Sequence, residues 1–317
     1  MRRLRCNLRR ITSAYAVGLA LLTAGCVTTT NPSSPRPDRV KPAGQDAKLA
    51  VYNVAFGAVV GGVGALVNGS GDPPLQRFAR GAGWGAAGGT VAYAGKWLTG
   101  EIAASESVAY GLPARLVHDA GLSVIENAAH DRPPLNRFAS HLAFVRLDVR
   151  PATGEVQARL LPLNAVAFGL MLADGDSEWD VGRSLVYGTP VFLGDGSGRH
   201  PVFGVEADGY ALLSTVYLDR DPDGFYPLAG HEFVHVLQHH EFVRAEAALR
   251  APLNRPLRRS ETYRSVERWV YLDSPALQAL TYFAIEGGIR DSRCYFDNWF
   301  ERESEAFGER RPVGVCP

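Results

Sequence analysis

The chain has 317 residues, of which 46% are hydrophobic, so it is long enough to bury a sizeable core in one large domain or one and a half. Basic and acidic residues number 33 each, but five arginines lie in the first ten residues, which leaves 28 basic against 33 acidic groups. This acidic excess argues against a nucleic-acid partner, because a nucleic-acid binder needs a basic face to track phosphates.

Residues 1–25 have the parts of an export signal: a positive start and then AYAVGLALLTAG, which is too short for a comfortable membrane span. The stretch ends in LLTAGC, which resembles the lipobox of bacterial lipoproteins, with Thr23 where that family usually carries leucine. The resemblance implies cleavage before Cys26 and its modification by lipids such as palmitate. Because Val27 is not acidic, it also implies an outer-membrane location facing the periplasm. An ordinary secretory signal is the alternative.

The cysteines are consistent with export. On this resemblance Cys6 would leave with the signal and Cys26 would be lipidated, which leaves Cys294 and Cys316 as a pair. In an oxidising periplasm such a pair usually bonds. We therefore expect a disulfide that closes a short C-terminal loop.

Two segments lie between the signal and residue 131. Residues 26–48 hold the lipidated cysteine and a Pro/Ser-rich flexible tether, and residues 49–130 form a Gly/Ala-rich helical region. Glycines four positions apart allow two helices to approach closely; they are Gly57 and Gly61, and Gly81, Gly85 and Gly89. We favour closely packed helices in a soluble domain, and a hairpin that inserts in or lies on the membrane is the alternative.

From residue 131 to residue 317 the pattern predicts one further domain. HLAFVRLDVR and VQARLLPLNAVAFGL predict a hairpin, and SLVYGTPVFLG and YALLSTVYLD predict further strands. Helices are expected over 227–248, 274–287 and about 297–308. The order indicates an α+β fold with Gly-rich N-terminal helices, an antiparallel sheet and C-terminal helices.

The stretch HEFVHVLQHH, residues 231–240, holds four of the eight histidines of the chain. His231 and His235 lie four positions apart, on one face of a helix, where both imidazoles can reach one cation. This HExxH pattern resembles that of zincin metallopeptidases. The resemblance implies that the two histidines bind Zn²⁺, that Glu232 is the general base, and that the helices after residue 224 are zincin-like.

Catalytic zinc needs a third protein ligand. The metzincin pattern fails, because Gln238 and Glu241 stand where that family has its glycine and its third ligand. Downstream, ESEA resembles the gluzincin pattern, in which a ligand glutamate precedes a small residue by three positions. Carried over, Glu303 is the third ligand and Ala306 the small residue; Glu301 and Glu305 are the competitors.

Other polar residues near the motif have more open roles. Gln238 is expected to hydrogen-bond a ligand or the helix of Glu303. His239 and His240 are expected to support the ligands or to face solvent. An oxyanion-stabilising residue is expected between positions 260 and 290, where the candidates are Tyr263, Tyr271 and Tyr282.

Together these features predict a zinc-dependent hydrolase, a gluzincin-like peptidase of the cell envelope in which Glu232 activates a zinc-bound water. Its expected partners are a peptide or envelope-protein substrate and, through the lipid anchor, the membrane. The alternative is a non-catalytic envelope lipoprotein with a structural or assembly role, in which the metal is structural or absent.

Overall fold

The computed structural model describes residues 27–28, 45–196, 198–201, 206–220, 224–289 and 298–309. Within these ranges the fold is α+β, as the sequence predicts. Cys26, Cys294 and Cys316, on which the lipid anchor and the disulfide depend, lie outside the described residues.

Three N-terminal helices pack through their glycines: α1 (Gln45–Asn68), α2 (Pro74–Ala104) and α3 (Gly111–Ala129). A Cβ atom on Gly57 would overlap the carbonyl oxygen of Gly85. Only glycine permits this backbone-to-backbone approach. By length and composition, one helix in the described part of the chain could cross a membrane, over Ala47–Asn68.

Two larger sheets and a short hairpin follow. An antiparallel sheet contains β2 (Phe138–Leu142), β3 (Val145–Arg150) and β4 (Glu155–Leu160). A mixed sheet has the order β1-β9-β10-β6-β5, and β10 runs parallel to β6, with Val216 opposite Val191. Its strands are β1 (Val27–Thr28), β5 (Glu178–Asp180), β6 (Val191–Gly194), β9 (Gly209–Leu212) and β10 (Thr215–Asp219). The short hairpin pairs β7 (Gly198–Arg199) with β8 (Glu206–Ala207).

Four segments expected as continuous strands change structure part-way. YALLSTVYLD turns at Leu213, where φ is 56°, and forms the antiparallel strands β9 and β10. The chain turns at Ala143, where φ is 52°, so HLAFVRLDVR forms two strands instead of one. Pro162 suits the first turn of a helix, and the segment after β4 forms α4 (Pro162–Ala173). The segment SLVY belongs to α5 (Val181–Tyr187), which ends at Gly188 in the left-handed conformation before β6 begins.

The long helix α6 (Phe225–Asn254) carries HEFVH and is enclosed on several sides. Phe233 and Val236 face the mixed sheet in one core cluster, and Val234 lies in another with residues of the last helix. That helix, α9 (Trp299–Ser304), continues into a π-helical turn, Glu305–Glu309. Between α6 and α9 the chain forms α7 (Glu261–Glu267) and α8 (Pro275–Ile289).

Candidate metal centre

Helix α6 presents His231 and His235 one turn apart, and α9 brings Glu301 against them. His231 Nε2 lies 3.1 Å from His235 Nε2 and 3.2 Å from Glu301 Oε2, and His235 Nε2 lies 3.5 Å from Glu301 Oε1. A tetrahedral zinc site with bonds of about 2.0–2.1 Å has its ligand atoms about 3.3–3.4 Å apart. The three side chains therefore have the spacing at which all of them can contact one ion.

Gln238 sets which nitrogen of His235 faces this centre. Its Nε2 donates to the carbonyl oxygen of Phe300 and to Glu303 Oε2, both at 2.9 Å, so its Oε1 points the other way. Oε1 lies 2.8 Å from His235 Nδ1 and must accept a hydrogen bond from its N–H. The lone pair of neutral His235 is then on Nε2, the atom that faces the other two side chains. Gln238 thus contacts both a predicted ligand and the helix of Glu303.

Burial and charge suit the centre to a cation. His231 is 1%, His235 3% and Glu301 1% exposed, and Glu232, next to the first histidine, is 0% exposed. Burial alone would raise the pKa of Glu301, but the charges and hydrogen bonds of His235 and His231 lower this pKa to about 2. Two imidazoles and an ionised carboxylate form a donor set that favours zinc and similar metals.

Glu303, the sequence-based choice for the third ligand, does not lie beside the histidines. Its Oε2 pairs with Lys96 Nζ at 2.7 Å, and its Oε1 accepts a hydrogen bond from Asn53 Nδ2 at 2.9 Å. Residues two positions apart point about 200° apart around a helix, so only one of the two glutamates can face the histidines. The structure puts Glu301, one of the competitors, in that place, and Glu305 is not part of the cluster.

Backbone contact between two glycines brings α9 to α6. A Cβ atom on Gly230 would lie 2.6 Å from the carbonyl oxygen of Gly308, and one on Gly308 would overlap the backbone nitrogen of His231. Only glycine fits at such distances. The close approach expected at Ala306 is made by Gly308 instead, and Ala306 packs in the core with Phe307.

The chain shows no match to known protein families, to curated proteins or to solved structures. The assignment of the centre therefore rests on its own geometry.

The Gly-rich helices contribute a buried ion-pair network that the sequence did not predict. Lys96 Nζ lies 2.7 Å from Glu303 and 2.8 Å from Glu241 Oε1, and Glu241 is 3.2 Å from His118 Nε2. Burial lowers the pKa of Lys96, but the two carboxylates raise it above its ordinary value. The available signal was a lone lysine within a long apolar, glycine-rich helix.

The neighbouring histidines are buried and do not face solvent. His239 Nε2 lies 3.3 Å from Asn164 Oδ1, and His240 Nε2 lies 3.1 Å from Ser214 Oγ. Burial lowers the pKa of His239 to about 3 and that of His240 to about 4, so both are neutral at pH 7.

Of the three tyrosine candidates, Tyr282 packs against the helix of Glu301. Its ring stacks on Phe300 at 4.9 Å, and its hydroxyl accepts a hydrogen bond from Asn298. Tyr271 lies under three guanidinium groups, 4.2 Å from Arg250 in the nearest case, and Tyr263 belongs to α7.

Proposed function

We propose that the protein is a zinc-dependent hydrolase with peptidase activity, in which His231, His235 and Glu301 hold the ion. The spacing of 3.1–3.5 Å among their ligand atoms carries the proposal. The donor set supports catalysis, because two histidines and one glutamate are typical of catalytic zinc, whereas structural zinc usually has four protein ligands. Three ligands occur in this cluster among the described residues.

Glu232 is the general base in this proposal. Zinc, when bound, acts as a Lewis acid and lowers the pKa of a coordinated water to about 7. The carboxylate of Glu232, directly after the first ligand and fully buried, takes up a proton and returns it to the leaving amine. Gln238 keeps His235 in the tautomer whose lone pair is on Nε2. Glu303 orients Gln238, and Lys96 balances the negative charge of Glu303.

The cell envelope is the proposed location. LLTAGC supports a lipid on Cys26, which would keep the enzyme close to a peptide or envelope protein at the membrane. Of residues 26–48, predicted as a flexible tether, Val27–Thr28 pair with β9 and residues 45–48 belong to α1. Replacing Cys26 with serine should release the protein from the membrane fraction. Unchanged membrane partitioning would instead favour insertion through Ala47–Asn68. A disulfide between Cys294 and Cys316 belongs to the same proposal.

The depth of the centre favours a second candidate, a non-catalytic envelope lipoprotein with structural zinc. A substrate must reach the ion, and each of the ligand side chains is at most 3% exposed. In this second case zinc stabilises the contact between α6 and α9, and Glu232 has no catalytic role.

The variant Glu232→Gln distinguishes the two candidates. The full chain, purified in detergent, is assayed for bound zinc, melting temperature and hydrolysis of peptide libraries and envelope extracts. The hydrolase should hold zinc in both forms and lose about 100-fold or more of its rate in the variant, because a positioned acid–base group is gone.

Equal rates in the two proteins would contradict the assigned mechanism. Zinc that raises the melting temperature strongly without any hydrolysis would favour the structural candidate. Folded wild-type protein that holds no zinc would exclude the hydrolase and the structural zinc, and would leave a non-catalytic lipoprotein without metal.

A further inference from the structure

A second histidine cluster lies outside the centre described above. Helix α3 supplies His118 and Asp119, and α6 supplies His240. All three side chains are 0% exposed, and one ligand atom of each lies within 4.8 Å of the others. The cluster joins the Gly-rich helices to α6.

The Nε2 atom of His118 is oriented by the carboxylate of Glu241. His118 Nε2 lies 3.2 Å from Glu241 Oε1, and the same carboxylate pairs with Lys96 at 2.8 Å. Lys96 balances the charge of this carboxylate, and Glu241 Oε1 accepts a hydrogen bond from His118 Nε2. The lone pair of neutral His118 is then on Nδ1.

The other two side chains are held in the same way by hydroxyl groups. Ser140 Oγ donates to Asp119 Oδ2 at 2.7 Å, and Ser214 Oγ lies 3.1 Å from His240 Nε2. Each of the three residues therefore has one polar atom fixed by a neighbour and one atom left over. Such outer contacts orient metal ligands in known sites, and a carboxylate behind a histidine is one of the recurring arrangements.

The remaining atoms have no hydrogen-bond partner in the described part of the chain: His118 Nδ1, Asp119 Oδ1 and His240 Nδ1. His240 Nδ1 lies 3.7 Å from Asp119 Oδ1. A buried polar atom left without a partner costs about 1–3 kcal/mol, and more when it is charged. One cation would satisfy all three atoms at once.

We propose that His118, Asp119 and His240 form a second binding site for a divalent transition metal such as Zn²⁺. Two imidazoles with one carboxylate favour zinc, cobalt, nickel or copper over calcium and magnesium, which prefer oxygen ligands. Because His240 Nδ1 and Asp119 Oδ1 are 3.7 Å apart, against about 3.3–3.4 Å in a tetrahedral zinc site, the ligands must draw together to bind the ion. This site should therefore bind zinc more weakly than the centre at His231.

Zinc titration of the full chain after removal of metal with a chelator tests the proposal. Wild-type protein should bind two equivalents, and Asp119→Asn, which keeps the size of the side chain and can keep the contact with Ser140, should bind one. His231→Ala should also bind one, and the double variant none. Ser140→Ala is the matched control: it removes an outer contact and should keep two equivalents, with the weaker one weakened further.

X-ray absorption of zinc-loaded His231→Ala examines the second site without altering it. The spectrum should show imidazole nitrogen at about 2.0–2.1 Å. Folded His231→Ala that binds no zinc would overturn the proposal, whether or not Asp119→Asn folds.

The outcomes also separate the two sites. A single wild-type equivalent that disappears in His231→Ala overturns the second site and leaves the proposed hydrolase intact. A single equivalent that disappears in Asp119→Asn but persists in His231→Ala supports the second site and removes the metal from the proposed hydrolase.

Discussion

The two histidine clusters of α6 differ in what holds them together. At His231, His235 and Glu301 the ligand atoms are 3.1–3.5 Å apart, and the backbones of α6 and of the turn after α9 touch through glycine. In the cluster of α3 and α6 the distance from His240 Nδ1 to Asp119 Oδ1 is 3.7 Å, and side-chain hydrogen bonds hold the ligands. Backbone contact thus gives the tighter geometry, since side chains held only by one another can relax apart.

Lys96 is shared by the two clusters, so its loss should have the largest effect. Lys96→Met keeps the length of the side chain but leaves Glu241 and Glu303 without a cation in a fully buried site. Removing one partner of a buried ion pair typically costs about 3–5 kcal/mol. Chemical denaturation should show a loss of that size, which adding Glu241→Gln and Glu303→Gln should largely reverse. A loss below about 1 kcal/mol would mean that the network contributes little to stability.

Gly308→Ala should disrupt the cluster of His231, His235 and Glu301 without affecting the other cluster. The added methyl group overlaps the backbone of His231, and overpacking of this kind costs about 1–3 kcal/mol. Zinc bound at Glu301 should be lost, while zinc at Asp119 stays. The control is Gly83→Ala, because a Cβ atom there meets no other atom within 4 Å. That helical substitution should stabilise by about 0.5–1 kcal/mol. Unchanged zinc binding in Gly308→Ala would show that the backbone contact does not position Glu301.

Comparing Glu301→Gln with Glu303→Gln distinguishes a metal ligand, Glu301, from a residue that orients a ligand through Gln238, Glu303. Both changes remove one buried carboxylate from α9, two positions apart. Loss of an outer partner typically weakens metal binding by about 10–100-fold, and loss of a ligand should weaken it further. Zinc titration should therefore show the larger effect for Glu301→Gln. The reverse order would return the ligand position to Glu303.

The smallest expected effect is the pH dependence of stability caused by Glu246, whose pKa is raised whereas that of Glu301 is lowered. Burial raises the pKa of Glu246 to about 8, although Arg250 opposes the shift. The folded protein then keeps a proton that the unfolded chain releases near pH 4.5, so stability falls as pH rises from about 4.5 to about 8. Between pH 6 and pH 7 the free energy of unfolding should fall by about 1.4 kcal/mol from this group. Glu246→Gln should remove that part of the slope, and an unchanged slope would show that the carboxyl ionises in the folded state.

The sequence was sufficient for the α+β class and for the helix of His231 and His235, because both depend on local periodicity. The choice between Glu301 and Glu303 was not local. Glu301 also precedes a small residue by three positions, Ser304, whose Oγ lies 3.2 Å from His235 Nδ1. Two pairs therefore match the pattern, Glu301 with Ser304 and Glu303 with Ala306. The rotation of α9 about its axis decides which glutamate faces α6, and the backbone contact at Gly308 fixes that rotation.

The residues from the Gly-rich helices were harder to foresee. Lys96 pairs with Glu241 and Glu303, more than a hundred positions away, and no periodic pattern reports a pairing at that distance. The prediction that the strand continues after β4 was wrong for a simpler reason. Apolar runs such as PLNAVAFGLMLA suit a buried strand or a short helix equally, and the proline at its start decides for the helix.

The contact between Gly230 and Gly308 has a consequence for recognising related proteins. HExxH alone is short and arises in unrelated chains, but few of those would also carry glycine immediately before the motif and a second glycine after a downstream glutamate. Here that second glycine stands seven positions beyond Glu301. Homologues that share the centre should keep this four-part signature even where the sheet and the tether have diverged, since any side chain at either glycine would push the two helices apart.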